Sequence, residues 1–258
     1  MPITKNPIPV EVTLRGNVGE FAGKYARDKI ATALDIAHGP VLTAHVVLDW
    51  RRNPASENHA IAEASANVDG LVVRAKTAAP TMPEAVDDLE YRLRRQLAHL
   101  QDRNRTQHRR TSVPAEHEWR HGDLPRHRVP HFPRPAESRE VVRRKSFASA
   151  PMTPDEAAYE MTLLDHDFFL YRDAASGAPT LVHRLSGGGY GVQGAEADAA
   201  RDAATQAAPP PSLTEAQARA RLEIDGEPFV FYREADTGAG CVLYHRYDGH
   251  YGLIELAD

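Results

Sequence analysis

The chain repeats itself. Thr153 opens the run TPDEAAYEM, and 61 residues later Thr214 opens TEAQARARL. Phe168-Phe169-Leu170-Tyr171-Arg172 is answered by Phe229-Val230-Phe231-Tyr232-Arg233, and Ser176-Gly177 by Thr237-Gly238. His183-Arg184 is answered by His245-Arg246, and Tyr190-Gly191 by Tyr251-Gly252. Agreement at so many positions in one register means two copies of one small unit, which must share a folding plan. Each opening threonine is followed three residues on by Glu156 or Gln217, the pattern of a capping box at a helix start. The remainder of each copy reads as three short strands separated by glycine turns. Copy one is also preceded by a strand, Val141 to Phe147, that copy two lacks.

The first hundred residues have a different pattern. Val10, Val12 and Leu14 alternate with polar residues, as in a half-buried strand. Helical spacing follows through Phe21, Ala22, Tyr25, Ala26, Ile30, Ala33, Leu34 and Ala37, and Gly39-Pro40 stops it. Alternation returns at Leu42, Ala44, Val46, Leu48 and Trp50. Residues 59–68 and 71–78 read as two strands joined at Asp69-Gly70, a two-residue hairpin turn. A long helix starts near Met82, with Pro83 in its first turn and Glu84, Asp87 and Asp88 at the positive end of its dipole. Val86, Leu89, Leu93, Leu97 and Leu100 form its buried stripe.

Between these regions lie two stretches without apolar period. Residues 106–139 carry Pro114, Pro125, Pro130, Pro133 and Pro135 among histidines and arginines, and residues 195–211 are Ala-rich and end in three prolines. Neither buries enough surface to offset ordering. The expected organisation is α+β throughout. A β-α-β-β-β-α domain spans 1–105, a linker 106–139, a first tail domain 140–194, a second linker 195–211 and a second tail domain 212–258.

Charge divides along the same lines. Residues 1–150 carry a net +6 and residues 151–258 a net −11. A basic front suggests a polyanionic partner, although unevenly spread solvated charge gives the same totals. Lys24, Arg27 and Lys29 fall on the first helix. Arg51 and Arg52 end the second strand. Arg74 and Lys76 share one face of the fourth strand, and Arg92, Arg95, His99 and Arg103 form a row on the second helix. Helices on one side of a four-stranded sheet can gather such residues onto one surface suited to RNA phosphates. The interspersed Asp28, Asp87, Asp88 and Glu90 suit an ordinary solvated surface equally well.

Other motifs carry less. His117-Glu118-Trp119-Arg120-His121 matches the zinc-hydrolase pattern H-E-x-x-H, but it sits in a Pro-rich linker rather than on a core helix. Gly187-Gly188-Gly189 lacks the Lys-Ser/Thr of a phosphate loop and reads as a hairpin turn. Cys241 is the sole cysteine, with no evident base beside it. No enzymatic activity, cofactor or metal is expected. The start lacks a signal-peptide core, and no apolar run is long enough to span a membrane. The expected location is the cytoplasm.

The run RRKSFASAPMTPDEAAYEMTLLDHDFFLYRDAASG, residues 143–177, closely resembles the tail domain of long-type ribosome hibernation promoting factors. The family's closing motif is better kept in copy two, at His245-Arg246-Tyr247-Asp248-Gly249-His250-Tyr251-Gly252-Leu253-Ile254. The first domain resembles the family's ribosome-binding domain, which is akin to double-stranded-RNA binders. The resemblance implies partners: the small ribosomal subunit, its 16S rRNA and proteins, and the 70S ribosome. It also implies a role in blocking the messenger and transfer RNA channel and protecting idle ribosomes under stress. Two tails, rather than one, are similar to the arrangement in hypoxia- and dormancy-linked factors of mycobacteria and relatives. A linker of about 17 residues reaches over ~20 Å and gives roughly millimolar effective concentration, so the tails are expected to pair within one chain. Phe169, Tyr171, Phe229, Phe231 and Tyr251 are the expected seam residues, with strand core as their other reading. A general structured-RNA binder with an interaction tail is the alternative function, and a zinc hydrolase using His117, Glu118 and His121 is the third reading.

Overall fold

The computed structural model describes residues 8–51, 58–109, 134–185, 188–194, 209–246 and 248–257, with the side chains of 102–109 outside the description. The chain forms two compact units, a head and a tail.

The head runs β1 (Val10–Arg15), α1 (Glu20–Leu34), β2 (Val41–Trp50), β3 (Ala60–Val68), β4 (Leu71–Ala79) and α2 (Met82–Arg109). This is the order expected from the periodicity. The sheet is ordered β1-β2-β3-β4, with β1 parallel to β2 and the other pairs antiparallel. Alternation buries one face: Ala44, Val46 and Leu48 of β2, Ala60 to Val68 at every second position of β3, and Val73, Ala75, Thr77 and Ala79 of β4. Ile30, Ala33 and Leu34 of α1 and Leu89, Leu93 and Leu97 of α2 complete that core. The many alanines on β3 leave room for helices to pack closely on the sheet. Asp69 and Gly70 both take positive φ, 52° and 86°, as a type I′ hairpin turn demands. The second helix extends to Arg109, four residues into the expected linker.

The tail holds β5 (Val141–Phe147), β6 (Pro151–Met152), α3 (Pro154–Leu163), β7 (Phe168–Asp173), β8 (Pro179–Arg184) and β9 (Tyr190–Gln193). It continues with β10 (Ser212–Leu213), α4 (Glu215–Asp225), β11 (Phe229–Glu234), β12 (Gly240–His245) and β13 (Tyr251–Leu256). Both capping boxes form. Thr153 N–H donates to Glu156 at 2.9 Å, Thr214 N–H donates to Gln217 Oε1 at 2.9 Å, and each threonine hydroxyl accepts the returning N–H. The two-residue strands β6 and β10 were not foreseen, and neither was a short 3-10 turn at Ala136–Ser138 within the expected linker.

Copy one forms the sheet β6-β7-β8-β9, and copy two forms β10-β11-β12-β13-β5. The leading strand therefore does not belong to the copy it precedes. β5 pairs in parallel with β13, Leu253 opposite Arg144 and Leu256 opposite Phe147. This corrects the domain reading that placed residues 141–147 with copy one. The repeat register also needs one correction. Phe168 is opposite His183 and Phe229 is opposite Tyr244, so His183 answers Tyr244 rather than His245. The reason is packing. A Cβ on Gly191 would meet His183 Nε2 at 2.8 Å, and one on Gly252 would meet Tyr244 Cζ at 2.3 Å. Each copy lays a ring over the glycine of the next strand, whatever the ring's chemistry.

Candidate nucleic-acid interface and tail seam

The helices of the head lie side by side and parallel. Tyr25 Oη donates to Asp87 at 2.6 Å, Lys29 Nζ lies 3.0 Å from both Asp87 and Glu90, and Gln101 Nε2 donates to the Ile36 carbonyl. Hydrogen bonds donated to Glu90 and Asp87 hold the Lys29 ammonium above its ordinary range. Tyr25 and Lys29 together hold the Asp87 carboxyl below its own. Arg94 pairs with the other Glu90 oxygen at 3.0 Å. The groove between the helices is thus a charge-balanced clamp, and Lys29 is committed to it.

The other expected contact residues separate into groups. Arg27 donates to the Val10 carbonyl at 3.3 Å, on the β1 side of α1. Arg51 pairs with Asp49 at 2.8 Å. Arg74 and Lys76 alternate with the buried Val73, Ala75 and Thr77, so they face away from the helices. Lys76 meets Glu63 at 3.5 Å across the strand pair. The single surface expected from the sequence is therefore not formed, because strand alternation sends the β4 cations to the opposite side from α1 and α2. The row on α2 is kept on one flank. Arg92 donates to the Lys76 carbonyl at 2.8 Å, which places that flank over β4, with half-buried Arg95 and His99 following it. Lys24 is exposed on α1. Arg52 lies outside the described residues, and Arg103 lies on α2 with its side chain outside them.

In the tail, each copy has a private core under its helix. Ala157, Ala158 and Met161 of α3 pack with Tyr171, Val182 and Val192, and Phe169 joins them. Ala218 and Leu222 of α4 pack with Tyr232, Leu243 and Tyr251. The opposite sheet faces pack on each other. Leu170 and Leu181 of copy one meet Phe231, Val242 and Leu256 of copy two, with Phe147, Phe168, Phe229 and Ile254 around them. Two contacts mirror each other: Phe168 lies 5.5 Å from the Tyr244 ring, and Phe229 lies 5.6 Å from the His183 ring. Phe229 and Phe231 are at this seam. Phe169, Tyr171 and Tyr251 are not, because they point to their own helices. Phe168 is at the seam as well, and Phe147, Leu170, Leu181, Val242, Ile254 and Leu256 were missed.

The start of β5 is tied to copy two. Arg139 Nη1 donates to Glu223 of α4 at 2.5 Å, Tyr251 Oη donates to the same carboxylate, and Arg219 donates to the Arg139 carbonyl at 2.7 Å. Burial alone would raise the Glu223 carboxyl, but the bonds from Tyr251 and Arg139 outweigh it and hold it low.

Among the described residues no group of three or more His, Cys, Asp or Glu side chains could hold a metal ion. The zinc-hydrolase pattern at His117, Glu118 and His121 lies outside them. No helix among the described residues is long and apolar enough to cross a membrane.

The fold is an α+β head of β-α-β-β-β-α order joined to a duplicated α+β tail. The chain belongs to the S30EA ribosomal protein family: residues 10–105 match the Sigma 54 modulation protein / S30EA ribosomal protein, and residues 136–192 and 203–253 each match that family's C terminus. It is 34% identical over 145 residues to the dormancy associated translation inhibitor of Mycobacterium tuberculosis, covering 51% of this chain and 52% of that one. The match thus spans about half the length of that relative. It is 27% identical over 190 residues to the ribosome hibernation promotion factor of a Picosynechococcus species, covering 71% of this chain and 96% of that protein. Among solved structures, the N-terminal domain of Thermus thermophilus Protein Y aligns at 22% identity over 35% of this chain and 96% of its own, with a TM-score of 0.29. A ribosomal subunit interface protein from Coxiella burnetii aligns at 17% identity over 36% of this chain and 97% of its own, with a TM-score of 0.28.

Proposed function

We propose that this chain is a cytoplasmic ribosome hibernation factor that works by occupancy. The head sits on the small subunit in the messenger and transfer RNA channel, contacts 16S rRNA and neighbouring ribosomal proteins, and excludes RNA ligands. Inhibition is steric and needs no chemistry. The flank of α2 with Arg92, Arg95 and His99, together with Lys24, supplies phosphate contacts. The clamp around Lys29 holds the two helices in register. The tail, with its net charge of −11 over residues 151–258, faces away from RNA. Its copies pair within one chain, so ribosomes idle singly as 70S particles under stress.

The observation that supports pairing of the copies within one chain is the parallel pairing of β5, which precedes copy one, with β13 of copy two. The family match over residues 10–105 and the ribosome hibernation factor covered over 96% of its length support the ribosome as target. The test is pelleting with purified small and large subunits in excess competitor duplex RNA. Retention on small subunits alone is the expected result. Release by the competitor would instead make the chain a general structured-RNA binder.

A further inference from the structure

At the seam, the repeat brings one residue against its own counterpart. Pro179 opens β8 opposite Arg172, and Gly240 opens β12 opposite Arg233, 61 residues on in both strands. A Cβ built on Gly240 would lie 2.3 Å from Pro179 Cβ and 3.0 Å from its Cγ. Equivalent residues touch each other only near a two-fold axis. Pro179 and Gly240 therefore mark the approximate axis of the tail, and the mirrored Phe168–Tyr244 and Phe229–His183 contacts agree with it.

A true two-fold would carry the same residue at both positions. Here one side has a proline ring and the other has only hydrogen. A second position is equally one-sided. Gly194 has φ +92°, and a Cβ there would lie 3.0 Å from Phe231 Cε1 and 3.0 Å from the Pro179 carbonyl oxygen. The counterpart of Gly194 is Glu255, and that of Phe231 is Leu170. The larger ring of copy two thus sits over a glycine that only copy one provides.

We propose that the seam is heterotypic by construction: Pro179 and Gly194 make the face of copy one accept copy two and exclude a second copy one. Two copies one would set Pro179 against Pro179, in a space that a single added Cβ already overfills. Two copies two would set Phe231 against Glu255. Neither like pair can close as the observed pair does, and discrimination comes from the clash as much as from the fit. The one leading strand, taken by copy two, adds to the same asymmetry. Chains therefore cannot be joined through like tails. This deepens the reading that the tails pair within one chain, and it rests on that reading only for the question of which chain supplies the partner.

The test uses the full-length chain with Gly240→Ala, Pro179→Gly and the double substitution. Amide exchange in β8 and β12 reports seam closure, and sedimentation reports oligomeric state. Gly240→Ala is expected to speed exchange roughly tenfold through overpacking. Adding Pro179→Gly should return it to the rate of Pro179→Gly alone, which no general folding defect at residue 240 would do. Wild-type exchange in Gly240→Ala, or a loss that Pro179→Gly leaves unrelieved, overturns the proposal. If the rescue holds but the wild-type chain sediments as a tail-linked dimer, the heterotypic rule stands and intrachain pairing falls.

Discussion

The ring of Phe168 lies 5.0 Å from the ring of Phe229, its counterpart 61 residues later. The pair joins two sheets that each also bury a helix on the far side, so β7, β8, β11 and β12 carry apolar residues on both faces. That double demand explains why the repeat is so dense in aromatic residues.

Phe231 is the large side chain of copy two that reaches into copy one, and it is 5% exposed. Replacing it with alanine should destabilise the tail by roughly 3–5 kcal/mol in denaturant unfolding. Phe21 is 82% exposed on α1, so Phe21→Ala should change stability by less than ~0.5 kcal/mol.

Cations that meet phosphates and cations that hold the head together respond differently to salt. Lys24→Ala and Arg95→Ala should each reduce the slope of log affinity for small subunits against log salt by about 1. Lys29→Ala should leave the slope unchanged and lower the melting temperature of the head, since its ammonium is bound to Asp87 and Glu90. Titrations at several salt concentrations separate the two behaviours.

Glu223 is held below the ordinary carboxylate range when folded. Its contribution is therefore fully present above its unfolded value and disappears as pH falls through its folded value. Arg139→Ala removes one of the bonds that keep it low. The acid-unfolding midpoint of the tail should move to higher pH, with a loss near neutrality of about 1 kcal/mol, because the pair is only partly buried.

Cys241 is buried in the core of copy two, and burial pushes its thiol up to about 12. The native chain should resist thiol reagents at neutral pH, and labelling should appear only as copy two opens. The labelling rate then reads tail opening directly, and Phe231→Ala should accelerate it.

Much of the fold was legible because its elements are long and periodic. The six head elements follow from apolar spacing, and both tail helices from their capping boxes. The seam was legible too, but was misread. Alternation and the 61-residue repeat together require Phe168 and Leu170 to share a role with Phe229 and Phe231. Phe169 and Tyr171 then fall with Val230 and Tyr232, under the helices. The partner of β5 was not legible, because Arg143, Arg144 and Lys145 give that strand no apolar face and its pairing spans over a hundred residues. The clamp around Lys29 was hidden for a related reason, since it depends on two helices lying parallel. The strands β6 and β10 have two residues each, too few for any pattern.

Sedimentation of this protein with ribosomes through a low-salt sucrose gradient tests the central claim most directly. The account predicts that the chain travels with small subunits and single 70S ribosomes, and that no paired ribosomes appear. Protein left at the top of the gradient, or ribosomes shifted into pairs, would contradict it.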